Sequence, residues 1–490
     1  MPTLVAKLNR PVVAVLAVGL IAGVLRFTNL EYPQRWMFDE YYYPKSACIF
    51  LGYSNDRCDV NSAHERLWRE QQNDTGAWVH PPLGKWTIAL GELAAGTDTF
   101  GWRIASALAG TATVMVLAVI VQLLFASPIW TFAGGLLLAT ESLNFVQSRI
   151  AMLDILVTFW IVLGFMFLLL DRRWIEGRTP DPPPELVPGA DPRPDPVPGA
   201  ADDAHPPRRR IPAPLWRPWR FASGVALGAG FATKWSALTA IMTVIALSFI
   251  WEVVRRKRFG VRRPFWDAFA SEGFGLVLSL LVVPAIVYVV SYTGWFLHFG
   301  FDLGRWAQLQ SSMADWHATL KTVDASGELT HPYQSQAWSW ILLRRPVYYY
   351  GNYTEGAIRQ VIYANGNPVI FWGSLVAIPY AAYRWWRARD WRAGFVIVAI
   401  TGLYLPWFFV NRPQFLFYAT PLTPFLVLAC VYAIRDLSEM HVAGSRSRPY
   451  LPVAVGFVVV SVVAFAWFWP VLTGAPLTEA GWRLRYWFTS

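Results

Sequence analysis

Apolar residues along this chain come in long runs rather than in strict alternation. Runs of about 17 to 25 residues, enough to cross a roughly 30 Å hydrocarbon core as helix, occupy 11–30, 102–125, 129–147, 152–171, 217–233, 235–254, 272–294, 367–385, 393–411, 414–435 and 450–472. One more apolar segment, 83–93, reaches only about 15 Å as helix and is too short to cross. The pattern predicts an all-α polytopic membrane protein of about 11 transmembrane helices. The first run follows Lys7 and Arg10 and lacks a small-residue cleavage site, so it reads as a retained span rather than a signal peptide.

Composition agrees: 55% of the 490 residues are hydrophobic and 15% charged, against roughly 25% charged in soluble domains. The net charge of +10 does not point to nucleic acid, because the arginines sit in loops between spans and not on one basic domain. Segments 172–220, 255–263 (RRKRFGVRR), 384–392 (RWWRARDWR) and 435–448 are arginine-rich and are expected on the cytoplasmic side with the N-terminus. Loop 31–83 then lies outside, three crossings return the chain by residue 172, and 83–93 is an interfacial helix at the outer surface.

The expected organisation is an N-terminal membrane half (1–171), a linker (172–216), further membrane helices (217–294), a second large outer loop (295–366), and C-terminal helices with an outer tail (367–490). The linker is proline-rich and repeats VPGA at 187–190 and 197–200, a composition that cannot bury a core. Loop 295–366 is rich in Trp, Tyr and His and is expected to be partly folded on the membrane surface. Cys430 lies in an apolar run and reads as a small buried hydrophobe. Cys48 and Cys58 share the first outer loop and can pair if that side is oxidising.

With orientation set by arginine counts, the unusual polar residues fall at one face. Asp39 and Glu40 lie in 38-FDEYYYPKSA-47, and His80, Pro81 and Lys85 in 80-HPPLGKW-86. Arg103 begins the second span, and Glu141, Arg149 and Asp154 surround the turn 141-ESLNFVQSRIAMLD-154. Lys234 is in 231-FATKWS-236, His331 in 331-HPYQSQAWSW-340, and Arg412 with Gln414 in 411-NRPQF-415. Singly, each has a structural reading: solvated loop acids, cations snorkelling to headgroups, a turn-shaping histidine. Together, Lys85, Arg103, Arg149 and Lys234 form a candidate clamp for a lipid phosphate, beside a carboxylate pair suited to taking a proton from a hydroxyl. The set points to transfer of a group from a lipid phosphate to an acceptor outside the membrane.

These motifs, with GWRIASALAG (101–110), NGNPVIFW (365–372) and HPYQSQAWSWILLRRPVYYY, resemble the protein O-mannosyltransferases in a bacterial, actinobacterial-type version, in order from about residue 12 to 470. The resemblance implies a GT-C-type inverting glycosyltransferase of the cell membrane, its active site facing outside. Such an enzyme carries mannose from polyprenyl-phosphate mannose (dolichyl in eukaryotes) to Ser or Thr of exported proteins. By position it implies Asp39 as catalytic base, Glu40 beside it, and Arg103 near the donor phosphate, with His80 and Pro81 shaping the acceptor groove. His331, Arg412, Gln414, Glu141 and Asp154 are candidates for the same groove. Eukaryotic members carry a β-trefoil in the second large outer loop, and 295–365 is too short to hold one.

No cofactor is required by this reading. A divalent metal (Mg or Mn) on the acidic pair is left open, and so is association with the secretion channel. The rival enzyme reading is a lipid-phosphate sugar transferase acting on a glycolipid, of the aminoarabinose-transferase kind. A transporter would place its charges near the bilayer midplane, often in repeated halves, and neither feature is seen.

Overall fold

The computed structural model describes residues 10–60, 79–179, 211–354, 358–440 and 448–487. All eleven apolar runs hold helix, and the ends are set by local chemistry. Helix α1 (Pro11–Phe27) leads into a first loop carrying the short α2 (Tyr43–Phe50). Then come α3 (Leu83–Ala95) and α4 (Thr99–Phe125), whose N-terminus is capped by Asp98 accepting from the amides of Phe100 and Gly101. Helix α5 (Pro128–Ala139) opens on a proline, which suits a first-turn position lacking an N–H partner.

The run 129–147, expected as one span, is broken. Glu141 accepts from the amides of Leu143 and Asn144 and so starts a new short helix, α6 (Ser142–Gln147). Helices α7 (Leu153–Glu176), α8 (Pro218–Thr233) and α9 (Leu238–Arg258) follow, then α10 (Pro264–Val277) and α11 (Val283–Ser291), joined through a π turn. Among the described residues seven helical stretches are long and apolar enough to cross a membrane, and α1 and α5 are shorter apolar helices. The chain is a multi-pass membrane protein. The 13 residues of α3 span about 20 Å, short of a crossing, and leave Leu90 and Leu93 exposed while Lys85 and Ile88 are buried.

After α12 (Thr293–Phe299) and α13 (Leu303–Thr319), the structure adds to the helices a small antiparallel sheet in the order β1 (Val347–Thr354), β2 (Ile358–Ala364), β3 (Leu477–Thr478). The register pairs Val347 with Ala364 and Gly351 with Val361. The β-prone aromatic run VYYYGNYT accounts for β1. Helices α14 (Pro368–Ala388), α15 (Trp391–Tyr404), α16 (Thr423–Ser438) and α17 (Leu451–Thr473) complete the bundle, with α18 (Glu479–Arg483) in the tail.

The Pro-rich stretch expected as a linker lies largely outside the described residues. Its flanks meet in a buried ion cluster. Arg217 donates to Asp171 at 2.5 Å and to Glu252 at 2.6 Å, and Arg220 to Glu272 at 2.7 Å. Arginines that the sequence marks as orientation signals therefore also tie α7, α8, α9 and α10 together at the end of the bundle away from Asp39.

Candidate active site

At the other end, the chain leaves α1 and enters the 3₁₀ turn Phe38–Tyr41. Phe38 has φ of +48°, a left-handed conformation that costs a bulky residue energy and persists only where packing enforces it. Its ring is held among Tyr349, Phe417, His331 and Phe415, at centroid distances of 5.1 to 6.3 Å. The consequence is that Asp39 and Glu40, adjacent in sequence, face different surroundings.

Glu40 is 0% exposed and fully engaged. It accepts Arg103 Nε and Nη2 at 2.8 Å each, the Ala151 amide at 2.8 Å and the Met37 amide at 3.0 Å. Arg103, also 0% exposed, donates from Nη1 to the carbonyl of Leu30 and from Nη2 to that of Arg35. Arg149 donates to the carbonyls of Leu25, Arg26, Thr28 and Asn29, capping the open C-terminus of α1. Glu141, besides starting α6, accepts the Asn367 amide at 3.0 Å. Gln414 donates to the carbonyls of Trp407 and Val410. The hydrogen bonds that Arg103, Arg149 and Glu141 make in this structure thus go to the scaffold, and the structure does not bring these three together as a phosphate clamp or groove.

Asp39 is half-buried beside a different pair, Lys234 Nζ on Asp154 Oδ1 at 2.8 Å. Burial, with the Asp154 charge nearby and only partly offset by Lys234, pushes the Asp39 carboxyl up to about 7. Two carboxylates share one ammonium here, so one of them holds a proton into the neutral range. The phenols of Tyr43, Tyr349 and Tyr418 lie within electrostatic reach of both acids. Lys234 sits 4.7 Å from the centre of the Tyr418 ring, and Tyr349 Oη accepts from Gln147 Nε2 at 2.6 Å.

Lys234 also lines a cavity of about 290 Å³ with His80, Trp235, Ser236, His317, Ala318 and Arg412. Arg412 Nη1 donates to His317 Nδ1 at 2.7 Å, which leaves Nε2–H to donate to the Val79 carbonyl at 3.0 Å. That tautomer is neutral, and burial together with Arg412 lowers the imidazole to about 4. His80, whose ring centre is 5.5 Å from that of His317, is likewise lowered, by burial first and then by Lys234. The cavity therefore carries two cations and two neutral imidazoles, and no carboxylate on its lining among the described residues. His80 reaches it through the turn before α3, where Pro81 is buried and the Pro82 carbonyl starts the helix by accepting the Trp86 amide. Lys85 is buried one turn on. His331 stays with Phe38 and Phe415, at 4.8 Å from the latter.

Cys48 and Cys58 are joined as a disulfide, and Lys45 fastens the same loop by donating to the Asp59 carbonyl. Among the described residues no three His, Cys, Asp or Glu side chains gather as metal ligands. Asp39 and Glu40 face apart, so the acidic pair is not a paired ligand set and no step below uses a metal.

Known proteins resemble this chain over most of its length. Residues 16–176 match the family described as dolichyl-phosphate-mannose-protein mannosyltransferase, and 303–490 match the C-terminal four TMM region of protein-O-mannosyltransferase. A polyprenol-phosphate-mannose–protein mannosyltransferase of Mycobacterium tuberculosis is 30% identical over 508 residues, covering 96% of this chain and 90% of its own. The chain belongs to the protein O-mannosyltransferase family. A relative of the same name from Corynebacterium glutamicum is 28% identical, covering 96% of this chain and 92% of its own. The fold matches the Saccharomyces cerevisiae protein O-mannosyltransferase Pmt1-Pmt2 complex bound to the sugar donor, with a TM-score of 0.71 at 14% identity over 100% of this chain and 93% of that one. The matched segments carry Asp39, His80 and Asp154 on one side and His317 and Arg412 on the other. Lys234 falls between them.

Sequence reasoning missed His317, Tyr43, Tyr349 and Tyr418 as members of the site. His317 sits on a polar helix within the loop 295–366, for which the sequence suggests only partial folding on the membrane surface. Its one available signal was a lone histidine among tryptophans, Trp306 and Trp316.

Proposed function

We propose that this protein is an inverting glycosyltransferase that moves mannose from a polyprenyl-phosphate mannose to Ser or Thr hydroxyls of exported proteins. The observation that carries the site assignment is the adjacency of Asp39 to a cation-lined cavity with no carboxylate among its described lining residues. The donor phosphate occupies that cavity, on Lys234 and Arg412, with His80 and His317 facing it. Asp39 takes the hydroxyl proton as the acceptor oxygen attacks the anomeric carbon from the face opposite phosphate. The bond from that carbon to the phosphate oxygen breaks, its electron pair leaves on phosphate, and the configuration inverts from β to α. Charge growing on the departing phosphate is stabilised by cations already in place.

With the N-terminus inside, the crossing of α1 puts this end of the bundle on the outer face of the plasma membrane. The Cys48–Cys58 disulfide supports an oxidising side. That is also the side where exported chains emerge, so association with the secretion channel belongs to the proposal, and co-purification with the channel tests it.

One labelled donor, offered in turn to a Ser/Thr/Pro-rich peptide and to a glycolipid, tests the function: label is expected on the peptide, and label on the glycolipid alone would refute the reading. The cavity has its own test. Arg412→Gln removes a charged hydrogen-bond donor, a loss of about 1.5 to 3 kcal/mol. The KM for donor is expected to rise about tenfold to a hundredfold, with a smaller change in the KM for peptide. An unchanged donor KM would move the phosphate elsewhere.

A further inference from the structure

A second and larger cleft opens on the far side of Arg412. It has a volume of about 820 Å³, inside the range of ligand-binding clefts. Arg344 and Arg345 line it, together with Arg412, Gln334, Gln336 and Gln414. Thr322, Ser335, Ser339 and Asn411 add neutral polar groups, and no Asp or Glu belongs to the lining among the described residues.

Two features mark it as built for a ligand. The side-chain Oε1 atoms of Gln334 and Gln414, both on residues under a tenth exposed, are buried in the wall with no hydrogen-bond partner among the described residues. A buried unpaired acceptor costs about 1 to 3 kcal/mol, and the residues that carry these two line the cleft. Leu343 and Arg345 also have φ of +59° and +57°, a left-handed backbone that non-glycine residues adopt at some cost and that concentrates at functional sites. Arg344, exposed between them, is presented to the cleft by that strained turn.

The lining calls for hydrogen-bonding N–H groups opposite its neutral polar residues and negative charge opposite its arginines. A lipid phosphate has the charge without the donors. An extended polypeptide with acidic side chains has both. We infer that this cleft holds the acceptor polypeptide on one side of the modified hydroxyl, and that Arg344 and Arg345 select segments with Asp or Glu near that hydroxyl and reject segments with Lys or Arg. The inference rests on the proposed protein mannosyltransferase activity and names the class of its acceptor.

The test uses the full-length enzyme in nanodiscs, polyprenyl-phosphate mannose, and three peptides that share one Ser/Thr/Pro-rich centre and differ in flanks of Glu, Gln or Lys. The Glu peptide is expected to exceed the Lys peptide about tenfold or more in kcat/KM, mainly through KM, with the gap narrowing at high salt. In Arg344→Gln/Arg345→Gln the ratio between those peptides falls toward one, and the donor KM stays within about twofold. Equal use of all three peptides by the unmodified enzyme overturns the inference and leaves the activity standing. A rise in the donor KM of the double variant, or a new dependence on anionic lipid, overturns it in favour of a lipid-phosphate cleft. Failure to mannosylate any peptide while a glycolipid is modified overturns the activity itself.

Discussion

Asp39→Asn is expected to reduce mannose transfer to an acceptor peptide by about 10² to 10⁴-fold while the protein still inserts and folds. A Ser or Thr hydroxyl is a poor nucleophile at neutral pH, and Asp39 is the carboxyl next to the cation-lined cavity that is not consumed by a scaffold bond. Its carboxyl, raised to about 7 by burial and the neighbouring Asp154, is matched to proton transfer near the operating pH. Because the base must be ionised, kcat/KM should climb as pH rises through about 7 and level off above it. A profile flat from about pH 6 to 8.5, or near-normal transfer by Asp39→Asn, would remove Asp39 from the reaction.

Stability supplies the control. The folded-state value lies above the ordinary 3.8, so the folded protein binds this proton more tightly than the unfolded chain does. The stability so contributed is complete below about pH 3.8 and is lost as pH rises to about 7. Above that, the folded state holds a poorly solvated charge that Asn does not carry. At pH 8, Asp39→Asn should therefore unfold at the same temperature as the parent or higher. A marked fall in its unfolding temperature would mean that the activity was lost through structure.

Much of this site was legible because a bilayer imposes long apolar runs, and arginine-rich loops then sort the remaining polar residues by side. Asp39, His80, Asp154, Lys234 and Arg412 emerged from that sorting and meet in space. What periodicity and charge could not convey is which polar groups are spent on the backbone. Arg103, Arg149 and Glu141 have the residue types of a phosphate clamp or groove. Arg103, however, is taken by Glu40 and two loop carbonyls, while the neighbours of Arg149 and Glu141 are carbonyls and amides left open at helix ends, which leave no mark on the side-chain pattern. The sheet was hidden for a similar reason: VYYYGNYT has the aromatic content of an interfacial belt and the β-propensity of a strand, and pairing with IRQVIYA decides between them.

The second large effect separates the two adjacent acids. Glu40→Gln is expected to destabilise the whole protein by about 3 to 5 kcal/mol, the usual cost of removing one partner from a buried ion pair. Glu40 accepts four hydrogen bonds, two from Arg103 and one each from the amides of Met37 and Ala151. It thereby ties the loop after α1, the start of α4 and the approach to α7 at one point. A glutamine there can accept at one oxygen only and turns an N–H₂ toward donors that need acceptors, while Arg103 keeps its charge at 0% exposure. Thermal unfolding in detergent and the monodisperse fraction on gel filtration should both fall, and activity should fall with them. The opposite result, a Glu40→Gln protein as stable as the parent but inactive, would make Glu40 a catalytic group and transfer to it the role assigned to Asp39. The double variant Glu40→Gln/Arg103→Gln sharpens the test. With the stranded charge gone, it should recover part of the stability lost in Glu40→Gln, although the Met37 and Ala151 amides are still less well served. Recovered folding should then bring back measurable transfer, because Glu40 and Arg103 hold the turn that carries Asp39 through bonds to each other and to the backbone.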